Sequence, residues 1–246
     1  MKRHQLERIL SKRGACSRRQ ARAWILAGRV ALHGRVSRDP GLWLDLDAPG
    51  LSLDGEPLKR AEPLYLAFHK PRGLITTRTD PKARPTIYDR LGEWSEWVSA
   101  VGRLDRETSG LLFLTNDTQF SEWICAPENR IEKLYRVEAR PRLNDEALAA
   151  LLEGVVLSDG PARALRIEKL GDRGPCTRFL LALDEGRNRE VRRMVQAVGS
   201  RVEKLVRVSI GGVELGGLAS GASRELSRVE LRRLGYPGLS RKSKAR

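Results

Sequence analysis

The stretch Gly102-Arg103-Leu104-Asp105-Arg106-Glu107-Thr108-Ser109-Gly110-Leu111-Leu112 sets a carboxylate, Asp105, between two arginines and just ahead of an apolar run. Asp105 is thereby the leading candidate for a reacting carboxylate. Arg103 and Arg106 would favour its ionised form near neutral pH and attract an anionic substrate. Gly110 is expected to close a polar turn, and Leu111-Leu112-Phe113-Leu114 reads as a short core strand, which sets the acid at the rim of a core. An isolated Asp between two arginines is better read as a structural ion pair at a turn. Other segments have to decide.

Three other segments carry residues of the right kind. Glu132-Lys133-Leu134-Tyr135-Arg136-Val137 alternates a tyrosine with basic neighbours on an expected strand. Glu185-Gly186-Arg187-Asn188-Arg189-Glu190-Val191-Arg192-Arg193-Met194 is a glycine turn running into an arginine-dense helix start. Lys70-Pro71-Arg72-Gly73 is a turn. Singly, they read as a core or stacking tyrosine, a phosphate patch and a loop. Cys16, Cys125 and Cys176 form no CxxC pair, and His4, His33 and His69 are scattered, so the spacing suggests neither a metal site nor a disulfide framework nor a histidine base.

The chain of 246 residues carries 46 Lys and Arg against 31 Asp and Glu, a net charge of +15, with an isoelectric point near 10.4. A hydrophobic content of 40% is enough for real cores and excludes a disordered chain. The charge balance makes RNA or DNA the default partner. No apolar run approaches the ~18 residues of a bilayer span, and Met1-Lys2-Arg3-His4-Gln5 lacks the apolar stretch of a signal peptide. A cytoplasmic protein with no membrane partner is expected.

Residues 1–40 hold eleven of the basic residues against Glu7 and Asp39 alone. Leu6, Ile9 and Leu10 fall at helical spacing before Gly14; Ser17 and Gln20 make a capping-box signature for a second helix from Arg18 to Ala27, with Gly28 beyond its end. Val30, Leu32 and Val36 alternate across a turn at His33-Gly34, and a later strand includes Leu51 and Leu53. Arg18, Arg19 and Arg22, near the positive end of the second helix, with Arg29 after it, are the expected phosphate contacts. Residues 1–60 form this basic domain. The polar stretch from Glu56 to Pro63, with two prolines, reads as a linker.

A larger domain, 64–235, opens with a strand from Leu64 to Phe68. Further strands are expected over Leu134–Val137 and Phe179–Leu183, a helix from Asn144 to about Leu152, and a last helix from Arg189 to Val198 before Gly199. The irregular alternation favours an α+β fold around a mixed, mainly antiparallel sheet. Residues 236–246 read as a disordered basic tail.

The run from Ser17 through Gly34 resembles the small RNA-binding domain first described in a ribosomal small-subunit protein. Arg103-Leu104-Asp105, Lys133-Leu134-Tyr135 and Arg187 through Arg192, in this order and with these gaps, resemble the ribosomal RNA pseudouridine synthases of the RsuA/RluB group. The resemblance implies that a uridine already in RNA is detached from its sugar, turned, and rejoined through carbon, with no cofactor and no metal. It assigns Asp105 as the essential carboxylate, by direct attack on the sugar or by a glycal route. Tyr135 would pack against the base and is a candidate general base. Arg192 would pair with Asp105 and keep it ionised, and Val191 would line the pocket. Arg103 would enter the space left by the extruded nucleotide, while Lys70, Arg72 and Arg187 would bind substrate. The basic run after Gly186 is closer to the large-subunit (23S) members, with a small-subunit enzyme or a non-catalytic ribosome-assembly factor as alternatives. A ribosomal RNA or an assembling ribosomal subunit is the implied partner, and the protein is expected to be a monomer.

Overall fold

The computed structural model describes residues 3–59 and 61–238. Its contacts divide into two units, the first running to Tyr65 and including Thr115–Phe120, the second taking Leu66–Leu114 and continuing from Ser121.

In the first unit, helices Leu6–Lys12 and Arg18–Leu26 bury Leu6, Ile9, Leu10, Ala21 and Ile25 against Val30 and Leu51 of a small sheet. The apolar stripe read from the sequence is thus the core face. Ser17 caps the second helix by accepting a hydrogen bond from the Gln20 amide at 3.2 Å. The hairpin Val30–Leu32 with Arg35–Val36 turns on His33 and Gly34, whose φ angles of 49° and 77° match the left-handed pair that a two-residue hairpin favours. Glu56–Pro57 pairs with Leu51–Leu53 as an edge strand. The expected linker therefore begins inside the sheet, where proline is tolerated because an edge strand has amides to spare.

The second unit is α+β. Its central sheet runs, in spatial order, Arg166–Arg173, Cys176–Leu183, Lys133–Arg140, Arg201–Ile210, Ser109–Thr115, Tyr65–Lys70, Ser223–Glu225. Arg201–Ile210 pairs antiparallel with Lys133–Arg140 but parallel with Ser109–Thr115, which makes the sheet mixed and mainly antiparallel. Helix Asp145–Glu153, capped by Asn144, and helix Glu190–Ala197 turn buried residues inward, Leu148 and Leu151 from one, Val191, Met194 and Val195 from the other.

Several expectations change. Gly110 lies within the Ser109–Thr115 strand rather than closing a turn. Helix Arg228–Arg233 follows the helix expected to be last; it is only six residues long, too short for a clear periodic signal. Tyr236 does not belong to a solvated tail, because it is 7% exposed and its ring lies 6.5 Å from that of Trp123. The basic residues 239–246 lie outside the described residues. No described helix is long and apolar enough to cross a membrane.

Gly110 has a steric reason to be glycine. Its φ is 110°, and a Cβ there would fall on the backbone of Arg207, 2.6 Å from its nitrogen. The Gly110→Ala protein should therefore lose roughly 2 kcal/mol or more of stability, measured as a lower urea midpoint with unchanged slope; an unaltered midpoint would contradict this close approach.

Candidate active site

Asp105 sits in a loop that is gripped from below. The loop leaves Leu104, whose amide and carbonyl both bond the Thr76 hydroxyl, at 3.3 and 2.9 Å. Arg106 accepts from the Gly73 amide through its carbonyl at 2.7 Å. Beneath it lies Lys70, 0% exposed, whose ammonium donates to the carbonyls of Pro71, Asp105 and Thr108 at 3.0, 3.1 and 2.9 Å. Burial pushes the Lys70 ammonium down to about 8, against the partial support of Asp105 and Glu107. Lys70 was expected to hold RNA backbone. It is sealed from any phosphate and holds the protein's own backbone instead.

Arg192 also departs from expectation. Its guanidinium donates to the carbonyls of Glu107 at 2.9 Å and Val202 at 3.2 Å, and no Asp105 carboxylate oxygen lies within 4 Å of it. Among the described residues, the guanidinium that comes that close to Asp105 is Arg189, at 3.9 Å. Arg189 takes up a left-handed backbone (φ 50°, ψ 32°) as the residue before helix Glu190–Ala197, a conformation that costs a non-glycine residue energy and is found disproportionately at functional sites. Burial, then the charge of Arg189, press Arg192 below the ordinary arginine range, while Asp105 acts the other way. Arg192 thus reaches Asp105 through field and backbone rather than by direct pairing.

Asp105, its side chain 29% exposed, opens into a cavity of about 420 Å³ whose wall includes Arg103, Lys133, Tyr135, Val191, Arg192 and Arg207. This volume falls in the range of small-ligand sites. Tyr135 is 8% and Val191 4% exposed, and Arg103 is exposed at the rim. Arg187 lines the cavity too, but its guanidinium bonds Glu185, Glu190, Asp159 and the Pro161 carbonyl, pinning the loop before the helix to the 155–162 hairpin. Burial, with a hydrogen bond that the protonated Glu190 carboxyl donates to Glu185, pushes the Glu190 carboxyl upward. Arg72 lies outside the cavity wall and bonds Glu107 at 2.7 Å, which holds that carboxyl below its usual range. Glu107 is therefore engaged, and Asp105 is the acid of this loop that faces the cavity.

Sequence reasoning passed over Lys133, Arg189 and Arg207 as site residues. Lys133 had a signal, because it stands two residues before Tyr135 and so on the same strand face. Arg207 had none, since the alternating charges of Arg201–Ile210 hid that strand.

In the first unit, Arg18 and Arg22 both hold Glu7, at 2.8 and 3.4 Å, with their side chains 60% and 62% exposed. Arg29 is bidentate with Asp54 and lies 5.1 Å over the Trp24 ring. Arg19 is exposed, and no carboxylate lies within 4 Å of it among the described residues. Of the four expected phosphate contacts, it alone starts without an intramolecular ion pair.

The comparisons with known proteins come to the same place. Residues 64–197 match the RNA pseudouridylate synthase family, and residues 6–45 match the S4 domain. The protein named ribosomal large subunit pseudouridine synthase B from Yersinia pestis is 40% identical over 229 residues, 90% of this chain and 72% of that protein. The protein of the same name from Bacillus subtilis is 34% identical, covering 93% and 94%. A crystal structure of a pseudouridylate synthase superposes with a TM-score of 0.69 at 29% identity, covering 94% of this chain and 99% of that one.

The Lys70 ammonium gives the loop a pH signature. Its folded value near 8 lies below the unfolded value of 10.5, so between those two the unfolded chain binds a proton that the folded chain has released, and stability rises with pH through this group. Urea titrations at pH 8 and pH 10 should show the wild type gaining stability relative to Lys70→Met. A constant difference between the two proteins would refute the burial of a strained charge.

Proposed function

The chain belongs to the RNA pseudouridylate synthase family, an enzyme that isomerises uridine to pseudouridine, and from that premise we propose that it acts on large-subunit ribosomal RNA with Asp105 as the reacting carboxylate. The relatives' names support the substrate. The observation that carries the chemistry is the Asp105 side chain facing a cavity it shares with Tyr135 and Val191.

A stacked base cannot present its glycosidic bond to a carboxylate, so the nucleotide must swing out, at a cost of roughly a few kcal/mol. Arg103 at the rim fills the vacated position, and phosphate contacts offset the unstacking. Inside, Tyr135 packs on the uracil and is positioned for a proton-transfer step, while Val191 closes the opposite wall. Asp105 has its backbone carbonyl tied to Lys70 and its carboxylate turned to the sugar. Arg192 acts as a positioning residue for the same loop. Arg189, half exposed beside Asp105, supplies charge for the nucleotide's phosphate. The residues after Tyr65 hold this chemistry, and the S4-like unit adds affinity through Arg19.

Asp105→Asn should abolish tritium release from large-subunit ribosomal RNA labelled at uracil C5, while RNA affinity stays within a few-fold of wild type. Absence of release by the wild-type protein from ribosomal RNA, free or in an assembling subunit, would favour a non-catalytic RNA binder. Arg19→Ala should weaken RNA binding and reduce the slope of log affinity against log salt by roughly 0.7 to 0.9, the loss of one phosphate contact. An unchanged slope would remove Arg19 from the interface.

A further inference from the structure

The floor of the cavity carries two cations that the reading above leaves without a task. Lys133 and Tyr135 are two residues apart on one strand and share its face. Arg207 is the direct cross-strand partner of Tyr135, on the same side of the sheet. All three line the cavity that holds Asp105. Among the described residues, neither cation has a carboxylate within 4 Å. Lys133 donates to the Asp184 carbonyl at 3.0 Å. Arg207 is 6% exposed, its Nε donates to the Leu111 carbonyl at 2.7 Å, and its Nη2 is buried with no hydrogen-bond partner. Two like charges in a low-dielectric floor repel one another and are each short of solvation. Burial and then the charge of Arg207 indeed push Lys133 below the ordinary lysine range. An arriving anion would relieve both.

The isomerisation generates such an anion. When the N1–C1′ bond breaks, its electron pair leaves with the uracil, whose negative charge spreads over N1 and the two carbonyl oxygens. Asp105 takes up the sugar, by bonding to C1′ or by removing a proton that it later returns. The ring then turns, C5 forms the new bond to C1′, the C5 proton departs and N1 gains a proton. Resting on the isomerase reading, we propose that Lys133 and Arg207 form a two-cation floor that binds the detached uracil and stabilises its charge while it turns. Tyr135, next to both in the sheet, supplies a flat surface on which the ring can rotate. The residues that hold the sugar and those that hold the base are thereby separate: Asp105 on its loop, the cations on the sheet.

The test varies the leaving group. Fluorine at C5 stabilises the uracil anion, so an enzyme that has lost a stabilising cation should suffer less on a fluorinated substrate. Single-turnover consumption of uridine and of 5-fluorouridine is measured by mass spectrometry of nucleosides from large-subunit ribosomal RNA transcribed with either one. Lys133→Met should slow the uridine reaction by roughly 100-fold and the 5-fluorouridine reaction by about 10-fold or less. Arg207→Met should show the same inequality; if it fails to fold because its bond to Leu111 is lost, Lys133→Met decides alone. Equal slowing on both substrates would overturn the proposal, since a packing role does not respond to the leaving group. A wild-type protein that consumes no uridine would overturn the isomerase reading, and this inference with it.

Discussion

Two cations that bind carbonyl oxygens, not carboxylates, hold the Asp105 loop: Lys70, fully buried, and Arg192, half-buried. Lys70 takes the carbonyls of Asp105 and Thr108, and Arg192 takes that of Glu107. Hydrogen bonds from charged donors are the stronger kind, about 1.5–3 kcal/mol each, and here they hold the backbone of Asp105 and of Glu107 and Thr108, which follow it. Their chemical merit lies in what they leave alone. A guanidinium locked bidentate on Asp105 would have to be displaced before the acid could meet a sugar. A clamp on the backbone fixes the position of the acid and leaves its oxygens free. Lys70 is held in a cost-bearing state for this, its ammonium pushed down to about 8 by burial.

The cavity above the clamp is arranged by charge. On one side, Glu185, Glu190 and Asp159 neutralise Arg187 and fasten the loop before helix Glu190–Ala197. That fastening holds Arg189 in its left-handed turn, 3.9 Å from Asp105. On the sheet side, Lys133 and Arg207 have no carboxylate within 4 Å among the described residues. Cations are thus spent in three ways: on backbone, on structural acids, and in reserve for the substrate. The reserve matches a substrate that carries charge both in its phosphates and, during the reaction, in its base.

Elements with local signals were legible in the sequence. The Ser17 cap, the His33-Gly34 turn and the Asn144 cap each act within a few residues, and each appears where its chemistry predicts. Asp105, Tyr135 and Val191 could be selected and were brought into one cavity. What stayed hidden depended on distant partners. The Arg201–Ile210 strand alternates charged and apolar residues without a turn signal to frame it, and its identity comes from pairing with Lys133–Arg140 and Ser109–Thr115. Gly110 looked like punctuation because the backbone of Arg207, which forces its glycine, lies almost a hundred residues away.

By itself the sequence determined the chemistry available: one acid in an arginine-rich loop, a tyrosine on a strand, a basic run at a helix start, and a net charge of +15 that selects nucleic acid. Only the tertiary structure decided how each cation is used. Lys70, Arg72, Arg187 and Arg192 are alike as letters, and all four could have faced a phosphate. Burial and neighbours sort them into a loop clamp, a surface ion pair, a hairpin latch and a positioning contact. The physical reason is that a charge acts through distance and dielectric, and both are properties of the folded chain.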